Sequence, residues 1–226
     1  MTNFIYQDKE SPWSSHSQII AHLESMPMGS KLLDVGTASG MLARRGNSSL
    51  NFFGIEPHSE WAKIASPFYE KLWNCSLDGI SDEFIRGYDV IVLGDVLEHM
   101  PAPQLALKRL IDLQSNGCIF IISVPNIANL WIRLQLLAGN FDYTDRGILD
   151  RTHLRFFTRK SLIQLVKSCG LQIETIQVTP IPLELTSSFF TTSVGRLLHA
   201  SFAWCTSLLP TLLGYQFIVK AKKYGE

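Results

Sequence analysis

The chain has 226 residues, 46 % of them hydrophobic and 18 % charged, which supplies one sizeable core and carries no compositional mark of disorder. Twenty basic and twenty acidic side chains cancel, so the basic surplus usual in nucleic-acid-binding proteins is missing and no nucleic-acid partner is expected. The four cysteines, Cys75, Cys118, Cys169 and Cys205, are far apart with no C-x-x-C spacing, a pattern of reduced thiols that points to a cytoplasmic setting rather than a disulfide or metal framework.

At the start, MTNFIYQDKESPWSS has no basic segment followed by an apolar run, so no secretory signal is expected. Residues 13–26 place apolar side chains, including Ile19, Ile20 and Leu23, at helical spacing. KLLDVG at 31–36 reads as a strand buried on both faces and ended by Gly36. NFFGIE at 51–56, YDVIVLGD at 88–95 and GCIFIISVPN at 117–126 read the same way, with helix-like stretches at 58–65 and 104–113 between them. Strands alternating with helices predict a doubly wound, mostly parallel α/β sheet.

Beyond Asn126 the pattern changes. Residues 130–137 read as an apolar helix, and a polar, aromatic loop follows. Residues 159–168 form a helix that Thr158 caps and Gly170 stops. Strands are expected at 171–178 and 215–221, with an apolar helical insertion at about 183–213 between them. Together these make one domain over 1–226, a seven-stranded sheet with an antiparallel last strand. Residues 197–219 hold no Asp, Glu, Lys or Arg and are long enough to span a bilayer, but Pro210 and Gly214 interrupt them. A helix plus a strand is the expected outcome. A core-packing helix is the plainest reading of the insertion; covering the active site, forming a homodimer surface and holding a lipid tail are the other roles open to it, and docking on a membrane surface is a third possibility for residues 197–219.

Chemistry concentrates at Asp34-Val35-Gly36-Thr37-Ala38-Ser39-Gly40. Glycines at a strand-to-helix bend let the backbone approach a ligand closely, and ligands of open α/β sheets sit at such carboxyl ends. A dinucleotide site would place glycine two and five positions after Gly36, where this chain has Ala38 and Met41. Glu56, with Pro57 beside it, ends the second strand 20 positions after Gly36, a spacing suited to accepting hydrogen bonds from ribose hydroxyls.

The D-x-G-x-x-x-G form resembles motif I of class I S-adenosylmethionine-dependent methyltransferases, with Ala38 where that family usually has glycine. Asp95-Val96-Leu97-Glu98-His99 resembles the strand exit of the type 11 and type 23 methyltransferases, and residues 123–158 resemble the acceptor-side segment of type 23-like enzymes. Thr152 to Thr158 is also similar to a stretch of ubiquinone-pathway O-methyltransferases. The resemblance runs from about Lys31 to Leu171 and implies S-adenosylmethionine as cofactor. It implies a cofactor set of Asp34, Gly36, Thr37, Ala38, Gly40, Glu56 and Pro57, with Ser76 and Leu77 near the adenine and Gly94 and Asp95 beside the methionine part.

His153 is the expected general base for a hydroxyl acceptor, because an imidazole titrates near neutral pH, and Asp150 is expected to orient it. Asn126, Trp131, Tyr143, Arg151 and Arg155 are expected to line the acceptor pocket. Asp95, Glu98 and His99 would share a face if their segment were helical and then offer a magnesium site. A bracing role for them is preferred, and no metal is expected. The implied reaction is O-methylation of a small molecule, a saccharide or a lipid-linked glycan. The alternative is a catalytically degenerate cofactor-binding module or partner subunit.

Overall fold

The structure, a computed structural model, describes residues 11–225. The expectation about a secretory signal rests mainly on residues 1–10 and lies outside the described residues. Strands β1 (Lys31–Val35), β2 (Asn51–Ile55), β3 (Lys71–Trp73), β4 (Val90–Gly94) and β5 (Ile119–Pro125) are parallel. The last strand, β7 (Gln216–Lys223), runs antiparallel between β5 and β6 (Leu171–Thr179). The resulting seven-stranded order is β3-β2-β1-β4-β5-β7-β6.

Helices cover both faces of this sheet, which is why its central strands are continuous apolar runs. On one face Leu33, Ile91, Leu93, Phe120 and Val219 pack against α4 (Pro103–Asp112) and α6 (Arg159–Ser168) through Leu107, Leu110, Leu162 and Val166. On the other, Leu32, Val90, Val92, Ile121 and Ile218 meet Ile19, Ile20 and Leu23 of α1 (Ser15–Leu23). A one-residue slip of any central strand would exchange the two sets. Thr158 and Ser161 cap α6 reciprocally, each hydroxyl accepting from the other residue's backbone N–H.

The remaining helices are α2 (Met41–Arg45), α3 (Ser59–Ala65), α5 (Leu130–Leu137), α7 (Ser193–Leu208) and α8 (Pro210–Leu213). The apolar stretch at 197–219 is thus divided among α7, α8 and β7. Pro210 opens α8, where its missing N–H costs nothing. Among the described residues no helix is long and apolar enough to cross a membrane.

The chain winds outward from β1 through β2 to β3 and then returns to place β4 on the other side of β1. Reversals of this kind open a crevice at the carboxyl ends of the strands, where ligands of doubly wound sheets bind. The glycine loop after β1 and the loop after β4 flank that crevice.

Candidate active site

The loop after β1 is built from left-handed backbone at alternate positions: φ is +77° at Gly36, +45° at Ala38 and +79° at Gly40. Ala38 takes this conformation with a Cβ, at a cost of about 1–2 kcal/mol for an L-residue. The glycines are also sterically required. A Cβ on Gly36 would lie 2.8 Å from Val96 Cγ2, and one on Gly40 would lie 3.0 Å from both Cα and Cβ of Ala65. The first contact seats the loop after β1 against the loop after β4. Thr37 is buried, and Ser39 Oγ is buried with no hydrogen-bond partner.

Glu56 closes this loop from the end of β2. Its carboxylate, 3 % exposed, accepts from the backbone N–H of Ala38 at 2.8 Å and of His58 at 2.8 Å. Two of about four lone-pair positions remain. Asp34 is buried beneath the loop and accepts from the Tyr69 hydroxyl at 2.6 Å. Burial pushes its carboxyl up to about 7, against the opposing pull of that hydrogen bond, and burial raises the Tyr69 phenol as well. Asp34 therefore faces Tyr69 and supports the loop from below. Pro57 and Ser76 are exposed, while Leu77 is buried with its carbonyl accepting from Arg109.

Asp95 has φ +57°; among the described residues it and Ala38 are the non-glycine residues with positive φ. Strained backbone of this kind persists only where the surroundings hold it. Here Ser123 on β5 donates its hydroxyl to Asp95 Oδ1 at 2.8 Å, and Gln216 at the start of β7 donates to Oδ2 at 2.7 Å. The Asp95 backbone N–H donates in turn to the Ser123 carbonyl. Gly94 precedes it at the end of β4, where a Cβ would lie 3.6 Å from Ile19 Cδ1. Ser123 and Gln216 were not singled out in the sequence. Gln216 is 121 positions from Asp95, and only the antiparallel pairing of β7 with β5 brings them together. A polar residue directly ahead of the apolar run Phe217–Val219 was the available signal.

Three side chains meet beside Asp95. Glu98, His99 and His153 each offer one ligand atom within 4.8 Å of the others, a set able to hold a divalent cation. The sequence expectation grouped Asp95 with Glu98 and His99 on a helical face. Instead Leu97–His99 is one 3-10 turn, and both Asp95 oxygens are engaged elsewhere. Glu98 is 1 % exposed, and neither of its carboxylate oxygens has a partner. Burial first and the neighbouring Asp95 second push its carboxyl well above the usual range. The His99 and His153 rings lie 4.8 Å apart in an edge arrangement.

His153 is buried, and its Nδ1 meets the carbonyl of Ile148 at 3.0 Å. A carbonyl only accepts, so Nδ1 carries the proton and Nε2 keeps its lone pair. Burial lowers its pKa, with the Ile148 contact opposing. The expected Asp150–His153 pair is corrected on this point: Asp150 Oδ1 accepts from Thr152 N–H at 2.9 Å and from its hydroxyl at 2.6 Å, and the Ile148 carbonyl holds the ring. Short Asp side chains commonly bond two residues ahead in this way.

The expected acceptor-side residues divide. Tyr143 is exposed and joins Phe141 and Phe156 in an aromatic group that reaches His153. Trp131 is 61 % exposed on α5. Asn126 is fully buried, and its amide donates to the carbonyls of Thr211 and Gly214 while its oxygen accepts from Ala128 N–H, so it fastens α8 and β7 to the exit of β5. Arg151 pairs with Asp145 on the surface, and Arg155 donates to the Pro101 carbonyl. Beyond Asp95, Gln216 lines a hollow with Trp13, Thr179, Pro182, His199 and Tyr215, so the insertion supplies part of its wall through His199.

A methyltransferase-domain family model matches residues 16–176. The mitochondrial ubiquinone biosynthesis O-methyltransferase of Mus musculus is 29 % identical over 170 residues, 69 % of this chain and 45 % of that protein. The chain thus spans about half the length of the curated relatives it matches. Among solved structures, the magnesium protoporphyrin IX methyltransferase of Synechocystis PCC 6803 with bound SAH superposes with a TM-score of 0.61 at 14 % identity, covering 93 % of this chain and 83 % of that one. The [4+2]-cyclase SpnF superposes over 98 % of this chain and 86 % of its own, with a TM-score of 0.58 at 15 % identity. Shape at that level of identity establishes the fold and not the reaction. The family match covers well over half of the sequence: the chain belongs to the class I S-adenosylmethionine-dependent methyltransferases.

Proposed function

We propose that this methyltransferase acts on a hydroxyl oxygen of a small-molecule acceptor. The observation that carries the reading is the placement of His153, whose Nε2 lone pair is left free by the Ile148 carbonyl, in a cluster with Glu98 and His99 beside the strained Asp95. An acceptor hydroxyl gains nucleophilicity as it gives up its proton, and a neutral imidazole is suited to take it. The aromatic group of Phe141, Tyr143 and Phe156, packed edge to face, supplies an apolar lining next to that base. The relatives' names, as ubiquinone biosynthesis O-methyltransferases, agree with oxygen as the acceptor atom.

The residues at the crevice fit the cofactor. The orphaned Ser39 hydroxyl, the left-handed loop and the spare lone pairs of Glu56 offer polar partners to an adenosyl group, and Asp95 is held at the adjoining loop. When bound, S-adenosylmethionine supplies an activated methyl group on a positively charged sulfur. The protein's part is to fix that group, align the acceptor and manage one proton.

The test is an acceptor screen with methyl-labelled S-adenosylmethionine against hydroxylated aromatics, saccharides and lipid-linked glycans, with the labelled atom located by mass spectrometry. Label on an acceptor oxygen supports the reading. Label on nitrogen or carbon overturns it, and cofactor binding with no transfer to any acceptor returns the chain to a binding module.

A further inference from the structure

Helix α7 is amphipathic in reverse. Its buried stripe is narrow and small, formed by Gly195, His199, Ala203 and Thr206. The side turned to solvent carries Val194, Leu197, Leu198, Trp204 and Leu208, all more than half exposed, with Leu209 following. A surface helix of a globular domain normally shows the opposite distribution. Helix α5 repeats the feature: Ile132 is its buried residue, while Trp131, Leu134, Leu136 and Leu137 face outward. Asn129, which caps α5, donates to the carbonyls of Leu213 and Gly214 at the end of α8. The start of α5 is thus tied to the end of α8, the short helix that follows α7, where β5 and β6 end and β7 begins. So much outward apolar side chain on neighbouring helices marks an interaction surface.

We propose that the outer faces of α7 and α5 dock the protein on an anionic lipid bilayer surface. Charge decides the occupant. Helices α5, α7 and α8 contain no acidic residue, and their charged side chains are Arg133 and Arg196, both cationic and exposed. Cationic residues flanking an apolar face match the negative headgroup region of such a membrane. A second copy of the chain is a poorer occupant, because a two-fold contact would set this cationic face against itself. Trp131 and Trp204, 61 % and 65 % exposed, are the side chain type that prefers the boundary between headgroups and hydrocarbon. The helices lie along the surface and do not cross it.

Co-flotation of the full chain with vesicles of phosphatidylcholine alone and of phosphatidylcholine with phosphatidylglycerol tests this. Wild type is expected to float with the anionic vesicles at least about fivefold more than with the neutral ones, since each cation near an anionic surface contributes about 1 kcal/mol. Bromine-labelled lipid should quench its tryptophan emission. The surface variant L197Q/W204A/L208Q, checked for native circular dichroism, is expected to lose most of the binding, and Arg196→Glu to abolish the preference for anionic lipid. Wild type that floats with neither vesicle overturns the proposal. So does equal binding to both, retention by the triple variant, or a stable wild-type dimer that the triple variant dissolves. The readout is independent of methyl transfer.

Discussion

The carboxylate of Glu56 and the backbone N–H of Ala38 are joined across 18 positions of sequence at 2.8 Å, and the same carboxylate takes the N–H of His58. One buried side chain thus holds the glycine loop against the end of β2. Replacing Glu56 with Ala removes the partner of two part-buried donors, which should cost about 1–2 kcal/mol in a urea unfolding series. Affinity for S-adenosylmethionine should fall at least about tenfold, a loss of about 1.4 kcal/mol of binding. Glu56→Gln should recover part of the stability, since its one remaining carbonyl oxygen satisfies one donor. Full cofactor affinity in the Ala variant would remove Glu56 from the site.

Ala38 and Gly40 make opposite demands of the same loop. Both have positive φ, but Ala38 pays for it with a Cβ while Gly40 has Ala65 pressed against it. Ala38→Gly relieves the left-handed cost and adds chain entropy of similar size, so stability should move by less than about 1 kcal/mol with cofactor affinity kept. Gly40→Ala adds strain and a 3.0 Å approach to Ala65 backbone, and should cost about 1–3 kcal/mol. Calorimetric titration and thermal melting of the two variants give the comparison; equal losses in both would contradict the loop geometry.

Asp34 gives a stability signature in pH. Its folded-state carboxyl is pushed up to about 7 by burial, from 3.8. The native state therefore binds the proton more tightly than the unfolded chain. The stabilising contribution is complete below pH 3.8 and is lost progressively as pH rises to about 7. Asp34→Asn should remove this slope, so the difference in unfolding free energy between wild type and variant should shift by a few kcal/mol across that window. Parallel stability curves from about pH 4 to about pH 8 would show that Asp34 titrates normally.

His153→Ala should lower turnover by about 10²–10⁴, the usual weight of a positioned general base, while the calorimetric affinity for S-adenosylmethionine stays unchanged. Asp150→Asn should lower turnover far less, because the ring is oriented by the Ile148 carbonyl and Asp150 is engaged with Thr152. A larger loss in the Asp150 variant than in the His153 variant would reverse these roles.

The central strands were legible in the sequence because burial on both faces leaves continuous apolar runs, as in VIVLG of β4 and IFIISVP of β5. α6 was legible to its ends because Thr158 and Gly170 mark them. β3 was not: it has three residues, and Lys71 is exposed with its ammonium over Trp73 and Phe84. The glycine loop and Glu56 could be paired by spacing, yet spacing cannot reveal that the carboxylate bonds the loop's own backbone. The Asp95–Gln216 contact depends on the return of the last strand, and no local pattern encodes it. The Asp150–His153 pairing failed for the opposite reason, because a local turn to Thr152 outcompeted a plausible side-chain partner.

The loop from Asp34 to Gly40, closed by Glu56 and adjoined by Asp95, is proposed to hold the adenosyl cofactor. Isothermal titration of the wild-type chain with S-adenosylmethionine, repeated on Gly40→Ala and Glu56→Ala, tests it most directly. Wild type is expected to bind saturably and one-to-one, and both variants, each still folded by circular dichroism, markedly more weakly. Absence of saturable heat in wild type, or undiminished binding in both variants, would contradict it.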